Sequence, residues 1–454
     1  MRGYLPIAVM ALLAAEGCSL SEERAMRSDL RETRQVLRLE EPGRAEFSPP
    51  ESLPEKPALG DYLAYAALHN PALRAAYYRW AAAVEKAPQA RALPNPTFSY
   101  SRYIREVETR VGPQKNRFAL MQMVPWPTKL AGKSDQAVRE ALSRQYLYDA
   151  EKLALFFKVR QAYYEYYYLN RALLVVQDNL TLLQNLEGAL RARYEAAAAA
   201  SPALIRLQVE LGKLEERQKS LAQLRPALAA RLNAAIGRTP ELELPWPENA
   251  PQELPALAEA ELLAALQTEN PGLKAARARI QAAAAGERVA RAQYLPDVSL
   301  GASFIETDRR TDMNLPDNGK DPVMVTLELS LPVWWGKYAA GVREAKANRA
   351  AAESELQEKN NQLAADLSMA FFNYGDAARK LNLFEQTLAP KAQQALDASR
   401  TAFTAGQTPF SDLLDAERTL LELRLLAERA RVDQAIRLAE LEMLSGRELR
   451  QDVR

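Results

Sequence analysis

Asn70-Pro71-Ala72-Leu73-Arg74-Ala75-Ala76 returns about two hundred residues later as Asn270-Pro271-Gly272-Leu273-Lys274-Ala275-Ala276. Both copies have the form of a helix start. Asn caps the free amides, and Pro takes the first helical position, where a missing N–H costs nothing. From each start the pattern predicts a helix of about twenty residues through alanine and arginine. Leu93-Pro94-Asn95-Pro96 ends the first and Leu295-Pro296-Asp297 the second, because the residue before proline is pushed toward extended backbone. The period is far longer than that of a solenoid, so the chain reads as one large unit written twice.

A pair of strand-like segments follows in each copy. In the second, Val298, Leu300, Ala302 and Phe304 alternate with Ser299, Gly301 and Ser303. Val323, Val325, Leu327, Leu329 and Leu331 then alternate with Met324, Thr326, Glu328 and Ser330. In the first, Phe98, Tyr100 and Ile104 alternate with Thr97, Ser99 and Ser101, and a less regular strand runs from Phe118 to Val124. Polar connections, Glu106 to Lys115 and Glu306 to Asp321, make two hairpins. Period two gives each strand one apolar and one polar face. That fits a soluble sheet with one face on a core, or part of a membrane barrel. Each hairpin ends in a proline–tryptophan–lysine cluster: Pro125-Trp126-Pro127-Thr128-Lys129, and Pro332-Val333-Trp334-Trp335-Gly336-Lys337. Core packing is the usual fate of tryptophan, but the paired placement of Trp126, Trp334 and Trp335 suits a girdle between lipid and water.

Long tracts follow, from about Ala131 to Ala200 and from about Ala339 to Ala405, with Pro390 their one proline. Their length points to coiled-coil packing. Each tract turns and returns. Ser201-Pro202 and Thr408-Pro409 are expected to restart the return helices as a hydroxyl cap followed by proline. Proline-rich linkers run from Pro49 to Pro57 and from Pro240 to Pro255.

The totals exclude several function classes. The chain has 454 residues, with 59 Lys plus Arg against 58 Asp plus Glu, so its charge gives no nucleic-acid surface. One histidine and one cysteine rule out a His/Cys zinc site and an internal disulfide. Neither G-x-S-x-G nor a Walker sequence is present, and no catalytic centre, resident metal or cofactor is expected. Tyr163 to Tyr168, and the pair Met121 and Met123, are read as packing, and His69 as incidental. The N-terminus has the form of an export signal, with Arg2 and an apolar run from Leu5 to Ala15. The single cysteine, Cys18, sits where a bacterial lipoprotein signal is cut and lipidated, although Glu16 occupies a position that is usually small. Beyond it no apolar run reaches the ~18–20 residues of a helical span. The mature chain is therefore soluble or crosses a membrane in a closed β-barrel.

The order short helix, Leu-Pro, hairpin, Pro-Trp-Lys cluster, long helical hairpin, all repeated, resembles the TolC outer-membrane factor family from about Gly60 to Leu444. The resemblance implies a mainly α chain with a small transmembrane β part. It implies a homotrimer, with four strands per subunit in one shared 12-stranded outer-membrane barrel above a long periplasmic α-barrel. The implied function is the exit duct of a tripartite efflux pump, with a periplasmic adaptor and an inner-membrane pump of the RND type as partners. The Pro-Trp-Pro-x-Lys form and the lipoprotein-like start look more like the heavy-metal cation branch than the drug branch. The expected organisation is a signal at 1–17, a linker at 18–58, a first repeat at 59–254 (hairpin 96–125, helical hairpin 128–237), a second repeat at 255–446 (hairpin 297–332, helical hairpin 336–446) and a tail at 447–454. In the family, two aspartates three residues apart after a glycine turn form carboxylate rings at the closed entrance. Asp412 and Asp415 fall on those positions, and a spacing of three puts both on one helix face. Gly406 and Thr408, with Ser201 and Pro202, fall at the tips that meet the adaptor. The family's latching tyrosine and arginine are replaced by Phe403 and Thr408. The alternative is a periplasmic adaptor of the same pumps, a class with one helical hairpin between β domains.

Cys18→Ser should abolish lipid labelling yet leave a membrane-bound trimer, because a barrel supplies more apolar surface than an acyl chain. Palmitate labelling with membrane fractionation checks this, and complete loss from the membrane would contradict the barrel.

Overall fold

The two Asn-Pro corners fold as their sequence dictates and also close their own halves of the chain. The computed structural model describes residues 5–38, 53–195, 201–247, 255–312 and 316–449. Asn70 separates α2 (Leu59–His69) from α3 (Pro71–Val84), and Asn270 separates α7 (Glu259–Glu269) from α8 (Pro271–Ala292). The Asn70 Oδ1 accepts the N–H groups of Ala72 and Leu73, at 2.8 and 3.2 Å, and that of Asn270 accepts the Leu273 N–H at 3.0 Å. Their amides donate elsewhere. The Asn70 Nδ2 reaches the Ala235 carbonyl at 2.9 Å, near the end of α6 (Ser201–Ile236). The Asn270 Nδ2 reaches the Leu444 carbonyl at 2.8 Å, near the end of α11 (Phe410–Ser445). Gly237 and Gly446 then leave those helices with φ of +83° and +77°. A Cβ on Gly446 would stand 2.9 Å from the Asn270 Cα and from the Glu269 backbone, and one on Gly237 2.8 Å from the His69 carbonyl. Only glycine provides both the left-handed turn and the close approach.

The first helix after the corner is interrupted where the second is not. The structure breaks it at Glu85 into α3 and α4 (Lys86–Arg91), whereas α8 is continuous. Pro88 explains the break: it has no N–H to donate to Val84 and its ring crowds that carbonyl, and the second copy carries no proline between Pro271 and Pro296. The strands form where the alternation placed them: β1 (Thr97–Val107), β2 (Gln114–Val124), β3 (Asp297–Thr307) and β4 (Val323–Ser330). But β1 and β2 extend into the expected polar connection, with β2 starting four residues before Phe118, because cross-strand pairing continues from Arg102–Asn116 to Val107–Gln114. They form one antiparallel sheet in the order β1-β2-β3-β4, so the hairpins of the two copies join at β2 and β3. After the hairpins come α5 (Pro127–Glu195) and α9 (Trp335–Asn382). A π-helical turn at Leu383–Leu388 and α10 (Ala389–Thr404) complete the second tract. The π turn lies just before Pro390, whose missing N–H frees a carbonyl one turn back.

The N-terminal stretch departs from expectation. Residues 18–58 were expected as a linker, but α1 (Leu5–Val36) is helical through residue 36. Met26 and Leu30 are buried one turn apart, and the buried Glu23 accepts from Arg27 and Arg91, while Arg27 also pairs with Glu85 at 2.6 Å. These i,i+4 and tertiary contacts stabilise a helix that the linker reading did not count. The Cys18 side chain lies outside what is described, as do residues 39–52, which include the start of the first proline-rich linker, and residues 248–254 of the second.

The described residues form two compact units. One comprises residues 1–33, 78–145 and 275–357 and holds the sheet. The other comprises 34–77, 146–274 and 358–454 and holds the Asn closures. Its apolar core joins Val176, Leu180 and Leu183 of α5, Leu207 and Leu211 of α6, and Leu413, Leu414 and Leu420 of α11. Tyr163, Tyr164, Tyr166 and Tyr167 are buried as packing, with Tyr166 stacked on Trp246 at 4.8 Å.

Gly446→Ala and Gly406→Ala separate strain from clash. Both residues have positive φ, but only Gly446 faces backbone, whereas Gly406 faces open space. Each should lose about 1–2 kcal/mol to the left-handed backbone. Gly446→Ala should lose measurably more in a denaturant titration, and equal losses would show that the closure is not tight.

Candidate functional site

Two regions carry the features that the sequence singled out, one in each unit. The first is the sheet. Cross-strand register places Phe98, Leu120, Ala302 and Val325 in one row, and Tyr100, Phe118, Phe304 and Val323 in the next. Gln122, Leu300 and Leu327, then Val124, Val298 and Leu329, continue the same face. This apolar face is the exposed one, with Ile104 at 97% and Val325 at 83%. The polar face is sheltered along β3, where Gly301, Ser303, Ile305 and Thr307 are buried between exposed neighbours. The sheet is thus inside out relative to that of a water-soluble domain.

Antiparallel order puts the ends of β2 and β4 on one rim, beside the starts of β1 and β3. Trp126, Trp334 and Trp335 all stand there, all exposed, Trp334 at 74%. The Trp126 backbone N–H donates to the Asp297 Oδ1 at 3.2 Å, and the buried Lys129 ammonium reaches the same oxygen at 2.8 Å. Lys129 of the first cluster thus ties the two copies together. Tyr294 adds its ring at 5.9 Å from Trp335 and 5.4 Å from Tyr338.

The second region is the turn between α10 and α11. The Gly406 φ of +73° lets the Gln407 N–H reach back to the Ala402 carbonyl at 2.9 Å and the Gly406 N–H to Phe403 at 3.0 Å. Phe403 and Phe410 meet edge to face across the turn at 5.5 Å. Thr408 does not cap α11 as expected. Pro409 holds the cap position with extended backbone and no side-chain cap, and the Thr408 Oγ1 is buried without a partner. Because Pro409 itself has the extended ψ of 156° and the helix starts only at Phe410, the hydroxyl is set one residue too early. At the other tip, residues 196–200 and the Ser201 side chain lie outside the described residues, and Pro202 is exposed near the start of α6.

Asp412 and Asp415 are both exposed, with Leu413 and Leu414 between them buried. The Asp412 Oδ1 meets the Ser411 hydroxyl at 3.2 Å. Asp415 is not a bare carboxylate: Arg418 donates to its Oδ1 at 3.2 Å and extends its other nitrogen to Glu210 of α6. That guanidinium holds the Glu210 carboxyl below the ordinary range. The sequence reading missed Arg418, although its i,i+3 spacing from Asp415 was visible. It also missed Glu417, which is buried and accepts from the Asn179 Nδ2 of α5 at 2.5 Å, leaving its Oε2 without a partner. Burial pushes the Glu417 carboxyl up. Further along α11, Glu428 pairs with Arg171, Arg429 with Glu165, and Glu442 with Arg160. No group of three or more His, Cys, Asp or Glu side chains among the described residues is placed to hold a metal ion.

Residues 262–447, almost the whole second copy, match the outer membrane efflux protein family. The chain is 25% identical over 357 residues to the cobalt-zinc-cadmium resistance protein CzcC of Cupriavidus metallidurans, covering 74% of this chain and 77% of that one. It is 23% identical over 337 residues to the outer membrane protein TolC of Vibrio cholerae, covering 70% and 74%. The fold is similar to the crystal structure of the outer membrane protein VceC of Vibrio cholerae, with a TM-score of 0.71 at 20% identity over 86% of this chain and 97% of that one.

Glu417→Gln tests the buried carboxyl. A group with a raised folded pKa stabilises below its unfolded value, here 4.5, and loses that contribution as pH rises through the folded value. The variant should therefore resist heat better than the parent at pH 7, with the gain vanishing below about pH 4.5. A gain that does not change with pH would show that Glu417 carries no ionisation cost.

Proposed function

We propose that this TolC-like outer membrane efflux protein is the exit duct of a tripartite pump, passing cargo from the periplasm to the outside. One observation carries the reading: a four-stranded sheet with one exposed apolar face, an opposite face that is sheltered along β3 and carries serines, threonines and Arg117, and outer strands that each leave one edge unpaired. In water that arrangement exposes a large apolar patch. In a bilayer it is one arc of a barrel, with the tryptophan rim at the lipid surface. Among the described residues no helix is long and apolar enough to cross a membrane, and strands of eight to eleven residues suit a tilted barrel wall. Three copies would supply twelve strands and an even count. The reading assigns the protein no covalent chemistry.

The finer assignments follow from the same frame. Cys18 anchors the chain to outer-membrane lipid. The α10–α11 turn, with Gly406 and Thr408, and the Ser201-Pro202 start of α6 form the periplasmic end that meets the adaptor, and the adaptor joins it to an inner-membrane pump of the RND type. Asp412 and Asp415 from three subunits converge as a carboxylate ring that concentrates cations. Exported metal cations are the cargo that this ring and the likeness to a cobalt-zinc-cadmium resistance protein suggest. Arg418 tempers the ring, so Asp412 contributes the freer charge.

In planar bilayers, replacing Asp412 and Asp415 by alanine should lower cation preference and weaken block by multivalent cations several-fold. Asp412→Ala alone should account for most of the change. Unchanged selectivity and block in the double variant would remove the ring from the gate.

A further inference from the structure

We infer that the polar face of the sheet carries an oxyanion site centred on Arg117, an inference that rests on that face lining the water path of the barrel. Arg117 stands on β2 opposite Ser101 of β1 and Ile305 of β3. Residues two apart on a strand share a face, so Ser99 and Ser303 flank it on the same side. Thr307 is also on this face, shown by the strict alternation of buried and exposed residues along β3. A long side chain reaches such diagonal neighbours.

Three features distinguish this cluster from ordinary surface polarity. Ser303 is 4% exposed and Thr307 is 7% exposed, yet neither hydroxyl oxygen has a hydrogen-bond partner. Buried hydroxyls are normally satisfied, and leaving one unmade is costly. The Arg117 Nε is also buried without a partner, and no carboxylate lies within ion-pair distance of its guanidinium among the described residues. The nearby acids are engaged: Asp308 pairs with Lys115, and an Asp321 oxygen accepts the Thr307 N–H at 2.8 Å. Glu328, the acid on the same face of β4, lies opposite Ser299, six residues along β3 from the Arg117 row, or about 20 Å away.

A guanidinium fork with donor hydroxyls beside it matches a phosphate or carboxylate group, which accepts hydrogen bonds at every oxygen and cancels the unpaired charge. In a threefold barrel three such sites ring the wall. The duct would then have a cation-attracting carboxylate ring at one end and an oxyanion-binding ring in the barrel, and anionic or anion-complexed solutes would pause at the second.

The test uses inorganic phosphate with the full-length protein in detergent, followed by phosphorus NMR line broadening. The parent should bind. Arg117→Gln should weaken binding at least tenfold, Arg117→Lys should recover part of the loss, and Ser303→Ala with Thr307→Val should weaken it several-fold. Arg102→Gln, on the apolar face of β1, should change nothing. Binding that is absent in the parent or unchanged in Arg117→Gln overturns the site. Binding only when phospholipid is added assigns the site to a lipid headgroup rather than a free solute. In planar bilayers, phosphate should reduce chloride conductance in the parent but not in Arg117→Gln. A conducting protein that binds no phosphate loses the site and keeps the channel. Arg117-dependent binding without any effect on conductance places the site outside the water path and overturns the lumen assignment.

Discussion

A backbone edge in hydrocarbon must find a partner. Each unpaired N–H or C=O in the bilayer core costs several kcal/mol, so only helices and closed barrels span membranes. The sheet built by β1 to β4 presents its apolar residues outward and leaves one edge of β1 and one of β4 open. Its side chains call for lipid and its edges forbid lipid. In the proposed duct, a second and third copy would resolve the conflict by pairing β4 of one chain with β1 of the next. On the proposed reading, convergence of the tip carboxylates and of the Arg117 clusters about a threefold axis would follow from that closure.

Duplication makes the arrangement economical. Each half is closed by an asparagine that caps one helix with its oxygen and holds the end of another with its amide. A glycine with positive φ follows each held helix at the point of backbone contact. Each copy also supplies one hairpin; the two meet at β2 and β3, and Asp297 binds them by accepting from the Trp126 backbone N–H and from Lys129. The packed helices are then tied by ion pairs whose two members sit on different elements. Arg160 with Glu442, Arg171 with Glu428 and Arg418 with Glu210 link α11 to α5 and α6.

The fold was largely legible because its signals are local. Asn-Pro starts, Leu-Pro stops and period-two strands each act within a few residues, and their repetition removed ambiguity. What was not legible depends on contacts far along the chain. Helix α1 replaces a linker because Glu23 and Arg27 meet Arg91 and Glu85. Thr408 failed as a cap because the extended backbone of Pro409 occupies the cap position itself. At the α10–α11 turn, the placement of Asp412 and Asp415 on one exposed helix face was visible by their spacing. The partnership of Arg418 with Glu210 could not be seen, because it requires knowing that α6 lies beside α11. The orphan hydroxyls of Ser303 and Thr307 likewise emerge only from burial in the assembled sheet.

The most direct measurement is cross-linking between the two open edges. In a Cys18→Ser background, a cysteine at Ser99 of β1 is combined in turn with cysteines at Met324, Thr326 and Glu328 of β4. Within one chain these strands are separated by two others, about 14 Å apart, beyond the ~7 Å limit for a disulfide. Closure by three copies requires that at least one combination, oxidised in intact membranes, gives covalent dimers and trimers. Monomer at every position would contradict a barrel shared between subunits.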